Sequence, residues 1–205
     1  MTHRYLLVMR FALVNIVAFA LVVAAWLQGW LDGLFEPMTA TLSGIIFIVF
    51  VYGLALCGLN VWSTSVAIND MKAGGKTASA QAAHHMAAAR TKDAESRAIQ
   101  IAMMRLKLSH NIQIVRHIAN LLVFLGLIGT VIGFIIALSG VNAQAVSQAD
   151  SVARMVATLI QGMSIALYTT LLGATLNVWL NINHRILSTG TVNLISEIVA
   201  FGEKR

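Results

Sequence analysis

Residues 118–138 read Ile118-Ala-Asn-Leu-Leu-Val-Phe-Leu-Gly-Leu-Ile-Gly-Thr-Val-Ile-Gly-Phe-Ile-Ile-Ala-Leu138. A helix rising about 1.5 Å per residue needs about 20 apolar residues to cross about 30 Å of hydrocarbon. This stretch supplies them without one Asp, Glu, Lys, Arg or His, as expected where such a charge at a helix centre costs about 2.5–3.5 kcal/mol. Three more stretches have the same character: Phe11–Trp30, Leu42–Trp62 and Met155–Leu180. All four tryptophans, Trp26, Trp30, Trp62 and Trp179, stand at span ends, where an amphipathic ring prefers the headgroup level. With 58% hydrophobic and only 11% charged residues, and a mean hydropathy of +0.79, the chain is too apolar for a soluble domain of its length. The expectation is an all-α integral membrane protein with four transmembrane helices.

Charge orients them. The segment between the second and third spans carries Lys72, Lys76, Arg90, Lys92, Arg97, Arg105, Lys107 and Arg116. The Leu31–Thr41 link carries no Lys or Arg, and the Ser139–Arg154 link only Arg154. Arg4 and Arg10 precede the first span, and Arg185, Lys204 and Arg205 follow the last. Positive residues stay cytoplasmic, so both termini and the large basic segment are expected there, with two short links outside. The net charge of +6 is thereby a topology marker and no sign of nucleic-acid binding. Arg4 and Arg10 before an apolar run also imitate a signal peptide. The run continues past Ala18-Phe-Ala20 to Trp30, which is the length of a retained span. Cys57, the one cysteine, has no intramolecular partner and is read as packing.

The chain accordingly divides into a transmembrane hairpin over 1–62, a cytoplasmic helical segment over 63–117, a second hairpin over 118–181 and a cytoplasmic C-terminal helix over 182–205. After Ala73-Gly74-Gly75 neither Gly nor Pro recurs until Gly126, which predicts one long helix of about 75 Å running into the third span. Its Ile101, Met104, Leu108, Val115, Ile118 and Leu122 form one apolar stripe, interrupted by Asn111, that asks for a neighbouring helix. Ser188-Thr-Gly190 is read as a break before a short amphipathic helix bearing Val192, Ile195, Ile198 and Val199.

Small residues mark the last two spans. Gly126, Thr130, Gly133 and Ala137 recur at helical spacing in the third, where Gly129 and Gly133 form a GxxxG; Gly162, Ala166, Thr170 and Ala174 recur in the fourth, beside Thr169, Gly173 and Asn177. Such residues let backbones approach closely in lipid. Ordinary packing, with threonine hydroxyls bonded back to their own helix, accounts for the spacing by itself. Other signals carry less. Gly75-Lys76-Thr77 ends like a phosphate loop, but Asp70 stands where its first glycine belongs. His84 and His85 are adjacent, point apart on a helix and frame no metal site. Gly162-Met-Ser164-Ile-Ala166 lacks the final glycine of a nucleophile elbow. Asn177, Asn181, Asn183 and His184 cluster at one end of the fourth span, as interfacial hydrogen bonding or as an ion exit. Basic residues between Arg90 and Arg116 can meet anionic lipid headgroups or an acidic partner, and a solvated helix face accounts for most of them. No catalytic constellation is present, so an enzyme is not expected.

Leu125-Gly-Leu-Ile-Gly-Thr-Val-Ile-Gly133 and Gly162-Met-Ser-Ile-Ala-Leu-Tyr-Thr-Thr-Leu-Leu-Gly173 resemble the two signature spans of the MotA/TolQ/ExbB proton-channel family. Thr130 matches the pore threonine of the first motif, and Thr170 the threonine preceding the glycine of the second. The resemblance implies a channel subunit in a homopentamer around two copies of a single-span MotB/TolR/ExbD-like partner, in a bacterial inner membrane, driven by the proton motive force or by sodium. It makes 118–181 the pore-lining hairpin and 1–62 a peripheral one. Thr130, Thr170, Thr169 and Asn177 become ion-pathway residues, and Gly126, Gly129, Gly133, Gly162, Ala166 and Gly173 helix-packing ones. No cofactor is implied beyond the transported H⁺ or Na⁺. A proton pathway shows an intramembrane acid or histidine. These spans have none, which fits a partner that carries the ion-binding Asp. A non-conducting membrane scaffold, whose cytoplasmic helix recruits a partner, is the alternative.

Overall fold

A computed structural model of the chain describes residues 6–35, 37–73, 94–140 and 149–204. The helices are α1 (Leu6–Leu27), α2 (Pro37–Ala73), α3 (Ala94–Ser139) and α4 (Ala149–Lys204), with one 3₁₀ turn at Asp32–Leu34 and no strand among the described residues. All four helices are long and apolar enough to cross a membrane. In hydrocarbon every backbone N–H and C=O must be satisfied within the segment, so a helix wins even where glycine propensity opposes it. The expectations for Lys76, His84, His85, Arg90 and Lys92 lie outside the described residues.

The sequence carries the first span to Trp30, whereas α1 stops at Leu27. Gly29 takes φ +75°, its N–H donating to Trp26 O (2.9 Å) and the N–H of Trp30 to Ala25 O (3.2 Å). This is a Schellman cap, which places a left-handed glycine just past the helix. Pro37, expected in the external link, is the first residue of α2, where its fixed φ suits the helix and its missing N–H is no loss. The expected break at Ser188-Thr-Gly190 is absent. α4 runs through it for 56 residues, about 84 Å, with Thr189 and Thr191 hydroxyls donating to Arg185 O (3.0 Å) and Leu187 O (3.1 Å). A helical glycine costs about 1 kcal/mol relative to alanine, too little to end a helix that is packed on both sides of it.

The chain falls into two units: Met1–Val17, Leu54–Arg116 and Asn181–Arg205 form the first, and Ala18–Gly53 and His117–Leu180 the second. In the first unit Cys57, Val61, Val115, Leu187 and Leu194 are buried. Leu7 packs where a Cβ on Gly190 would come within 2.6 Å of its methyl, and Phe11 lies 3.7 Å from the equivalent point on Gly58. Asn15 Nδ2 donates to Phe11 O and to Asn183 Oδ1, both at 2.8 Å, and Asn183 Nδ2 returns a longer bond to Asn15 Oδ1 at 3.4 Å. Asn183 is fully buried.

In the second unit, Thr39, Ser43, Ile46 and Phe50 make the buried face of α2. Phe50 stacks at a tilt on Trp179, centroids 5.0 Å apart. A Cβ on Gly53 would meet Ile118 and Leu180 at 2.7 and 2.8 Å, and Gly33 lies directly under the Tyr168 ring. The Ser43 hydroxyl ties the start of α2 down, donating to Thr39 O and to Leu34 O. The buried Thr39 hydroxyl has no hydrogen-bond partner among the described residues. Ile118, Ala119, Leu122 and Ala137 of α3 face Ile165, Ala166, Thr169, Leu176 and Leu180 of α4 as the rest of this core. Val115, Ile118 and Leu122 of the expected apolar stripe are thus buried.

Candidate functional site

The second unit brings α3 and α4 together as antiparallel helices along a seam of small residues. A Cβ on Gly133 would lie 2.6 Å from Gly162 O and 2.7 Å from Ala166 N; one on Gly162 would run into Ala137 N and Gly133 O; one on Gly173 would lie 2.6 Å from Leu122 O. The obstacles are backbone atoms, which cannot rotate away. Gly126 is a little looser, 3.1 Å from Thr169 O by the same construction. With neither side chain intervening, the helices approach to the limit that backbone contact allows.

Thr169 and Thr170 are neighbours in sequence and about 100° apart on the helix, and they part company. Thr169 is fully buried in the seam, filling the notch left by Gly129. Its hydroxyl donates to Ile165 O (2.9 Å) and Ala166 O (3.1 Å) of its own helix. Thr170 lies on the exposed flank and reaches across to α3, donating to Gly126 O at 3.4 Å. Half-buried Thr130 donates to Leu127 O at 2.6 Å. Hydroxyls from two different helices thus bond the consecutive carbonyls of Gly126 and Leu127 in α3. Two turns further along each helix, Asn177 Nδ2 donates to Ala119 O at 2.6 Å. On this flank Val123, Leu127, Phe134, Met163 and Leu167 are exposed, and so is Asn120.

The residues expected to line an ion pathway therefore divide. Thr130 and Thr170 meet on one exposed edge, Asn177 bridges the same two helices, and Thr169 belongs to the seam with Gly126, Gly129, Gly133, Gly162, Ala166 and Gly173. Asn183, grouped by sequence with Asn177, is paired with Asn15 in the first unit. Asn15 escaped the sequence reading, although a carboxamide within the apolar run Phe11–Trp30 is a signal that some partner must satisfy it. The carbonyls of Ala119 and Gly126 as acceptors have no signal in sequence at all. Among the described residues no three His, Cys, Asp or Glu gather as a metal site.

Compared with known proteins, residues 72–199, more than half of the chain, match the family model described as MotA/TolQ/ExbB proton channel family. No curated protein and no solved structure matches the chain.

Proposed function

The chain belongs to the MotA/TolQ/ExbB proton channel family, and on that premise we propose that Thr130 and Thr170 form the polar spot at which it handles the ion as the channel-forming subunit of an ion-driven complex. The observation that carries this reading is the convergence of the two hydroxyls on the consecutive carbonyls of Gly126 and Leu127, on an edge where large apolar side chains such as Leu127, Phe134 and Leu167 are exposed. Five copies surround two copies of a single-span MotB/TolR/ExbD-like protein in a bacterial inner membrane, with both termini of this chain cytoplasmic. The partner contributes the Asp that the spans of this chain lack. Passage of H⁺ or Na⁺, worth about 2.3 kcal/mol per charge per 100 mV, drives movement of one component against the other. The chain forms no active site of its own and works without a cofactor.

The scaffold alternative uses the same hydroxyl-to-carbonyl bonds purely as packing. Substitution separates the two. Thr130→Val and Thr170→Val remove polarity from an edge outside the seam, so the assembly is expected to persist by native mass spectrometry while ion flux into vesicles is lost. Flux at the wild-type rate in both variants would sink the channel assignment and leave the scaffold standing.

A further inference from the structure

Three arginines of the first unit lie at one depth. Leu7 packs on Gly190 and Asn15 bonds Asn183, so α1 and α4 run antiparallel there, with Arg10 and Arg185 both between the two contacts. That stretch is about 12 Å long, and Phe11 beside Gly58 sets its level on α2. Arg116 of α3 joins them, since its charge bears on the imidazole of His184. All three arginines are exposed and His184 is half-buried. Nothing of opposite sign answers them: the sequence has no Asp or Glu within three turns of this level on any of the four helices. Like charges held together raise the local potential, and an arriving anion relieves it.

The surroundings say which anion. Trp62, one turn past Gly58 on α2, is 65% exposed, as suits an amphipathic ring among headgroups. On the side of the arginines away from Trp62, Leu13, Ile16 and Ile182 are exposed. We propose that Arg116 and His184 form a binding site for the phosphate of an anionic phospholipid, whose acyl chains run over the apolar surface beside it. A guanidinium presents a fork of N–H donors that matches a phosphate, and an imidazole donates one N–H even when neutral. Arg10 and Arg185 add to the field at the same depth. A zwitterionic lipid brings an ammonium that the cluster repels. Free phosphate and an acidic protein segment bring no chains to cover the apolar border.

The test is native mass spectrometry of the complex purified in mild detergent, titrated with phosphatidylglycerol or with phosphatidylcholine of the same chains. The wild type is expected to half-saturate its tightest site at a lower concentration of phosphatidylglycerol. Arg116→Gln should weaken that lipid roughly fivefold, the share of one surface cation, and leave phosphatidylcholine unchanged. His184→Gln should weaken it less, and Arg116→Lys, which keeps the charge, least. Arg154→Gln, on the opposite link, should keep the wild-type preference. Equal binding of the two lipids by the wild type overturns the proposal whatever the variants do. So does an Arg116→Gln variant that binds like the wild type, or an Arg154→Gln variant that loses as much, which would make the preference one of overall charge. Displacement of the lipid by millimolar inorganic phosphate would assign the site to a free anion, and displacement by a polyglutamate peptide would assign it to an acidic protein; either overturns the lipid.

Discussion

In the second unit α3 and α4 meet backbone to backbone, Gly133 against Gly162 and Ala166, with no side chain long enough to yield. In the first unit α1 meets its neighbours through side chains: Leu7 over Gly190, Phe11 beside Gly58, and the paired amides of Asn15 and Asn183. The difference shows in burial, since 28% of the most apolar window of α3 is buried inside the chain and none of that of α1. Lipid tails are as apolar as leucine, so apolar area by itself does not drive helices together there. Close packing holds the first pair, and a directional polar bond within apolar surroundings fixes the second. A seam made of backbone contacts has one allowed separation, which suits the helices that carry Thr130 and Thr170. An attachment made of side chains tolerates adjustment.

Substitutions can break this contrast. The largest effect is expected from Gly162→Ala: its methyl meets Ala137 N and Gly133 O, so the helices must separate. The loss should fall toward the upper end of the roughly 1–3 kcal/mol typical of overpacking, seen as a lower unfolding temperature in mild detergent. Wild-type stability would mean that the seam is not closed to backbone contact. Asn183→Leu comes next. It removes the carboxamide that accepts from Asn15 Nδ2 at 2.8 Å and should cost about 1–2 kcal/mol. Adding Asn15→Leu should restore much of that loss, because no amide is then left without its partner. A double variant as weak as the sum of the singles would show that the amides do not act as a pair. Gly190→Ala is expected to do least, within about 0.5 kcal/mol of wild type. The atoms nearest its methyl belong to the flexible end of Leu7, and the roughly 1 kcal/mol gain in helix propensity offsets the adjustment. One chemical change, Gly→Ala, should thus separate the two attachments.

The four helices were legible in the sequence because crossing hydrocarbon leaves little choice. Their ends were less so. Gly29 ends α1 and Gly190 interrupts nothing, yet glycine is an equally poor helix former at both. What separates them is that Trp30 N–H can close a cap on Ala25 O, while Gly190 is packed against Leu7 from α1. Asn15 was passed over because its partner lies in the last helix, far away in sequence.

The candidate site shows the same division. Spacing of four groups Gly162, Ala166, Thr170 and Ala174 on one face, but each such step turns about 40° around the helix. The seam follows alternating steps of four and three through Gly162, Ala166, Thr169, Gly173 and Leu176, leaving Thr170 and Ala174 exposed. The small size and polarity of these residues, and the resemblance they carry, belong to the sequence alone. Which threonine enters the seam and which reaches the edge was decided by the tertiary structure, because two helices can share only the line along which their backbones touch.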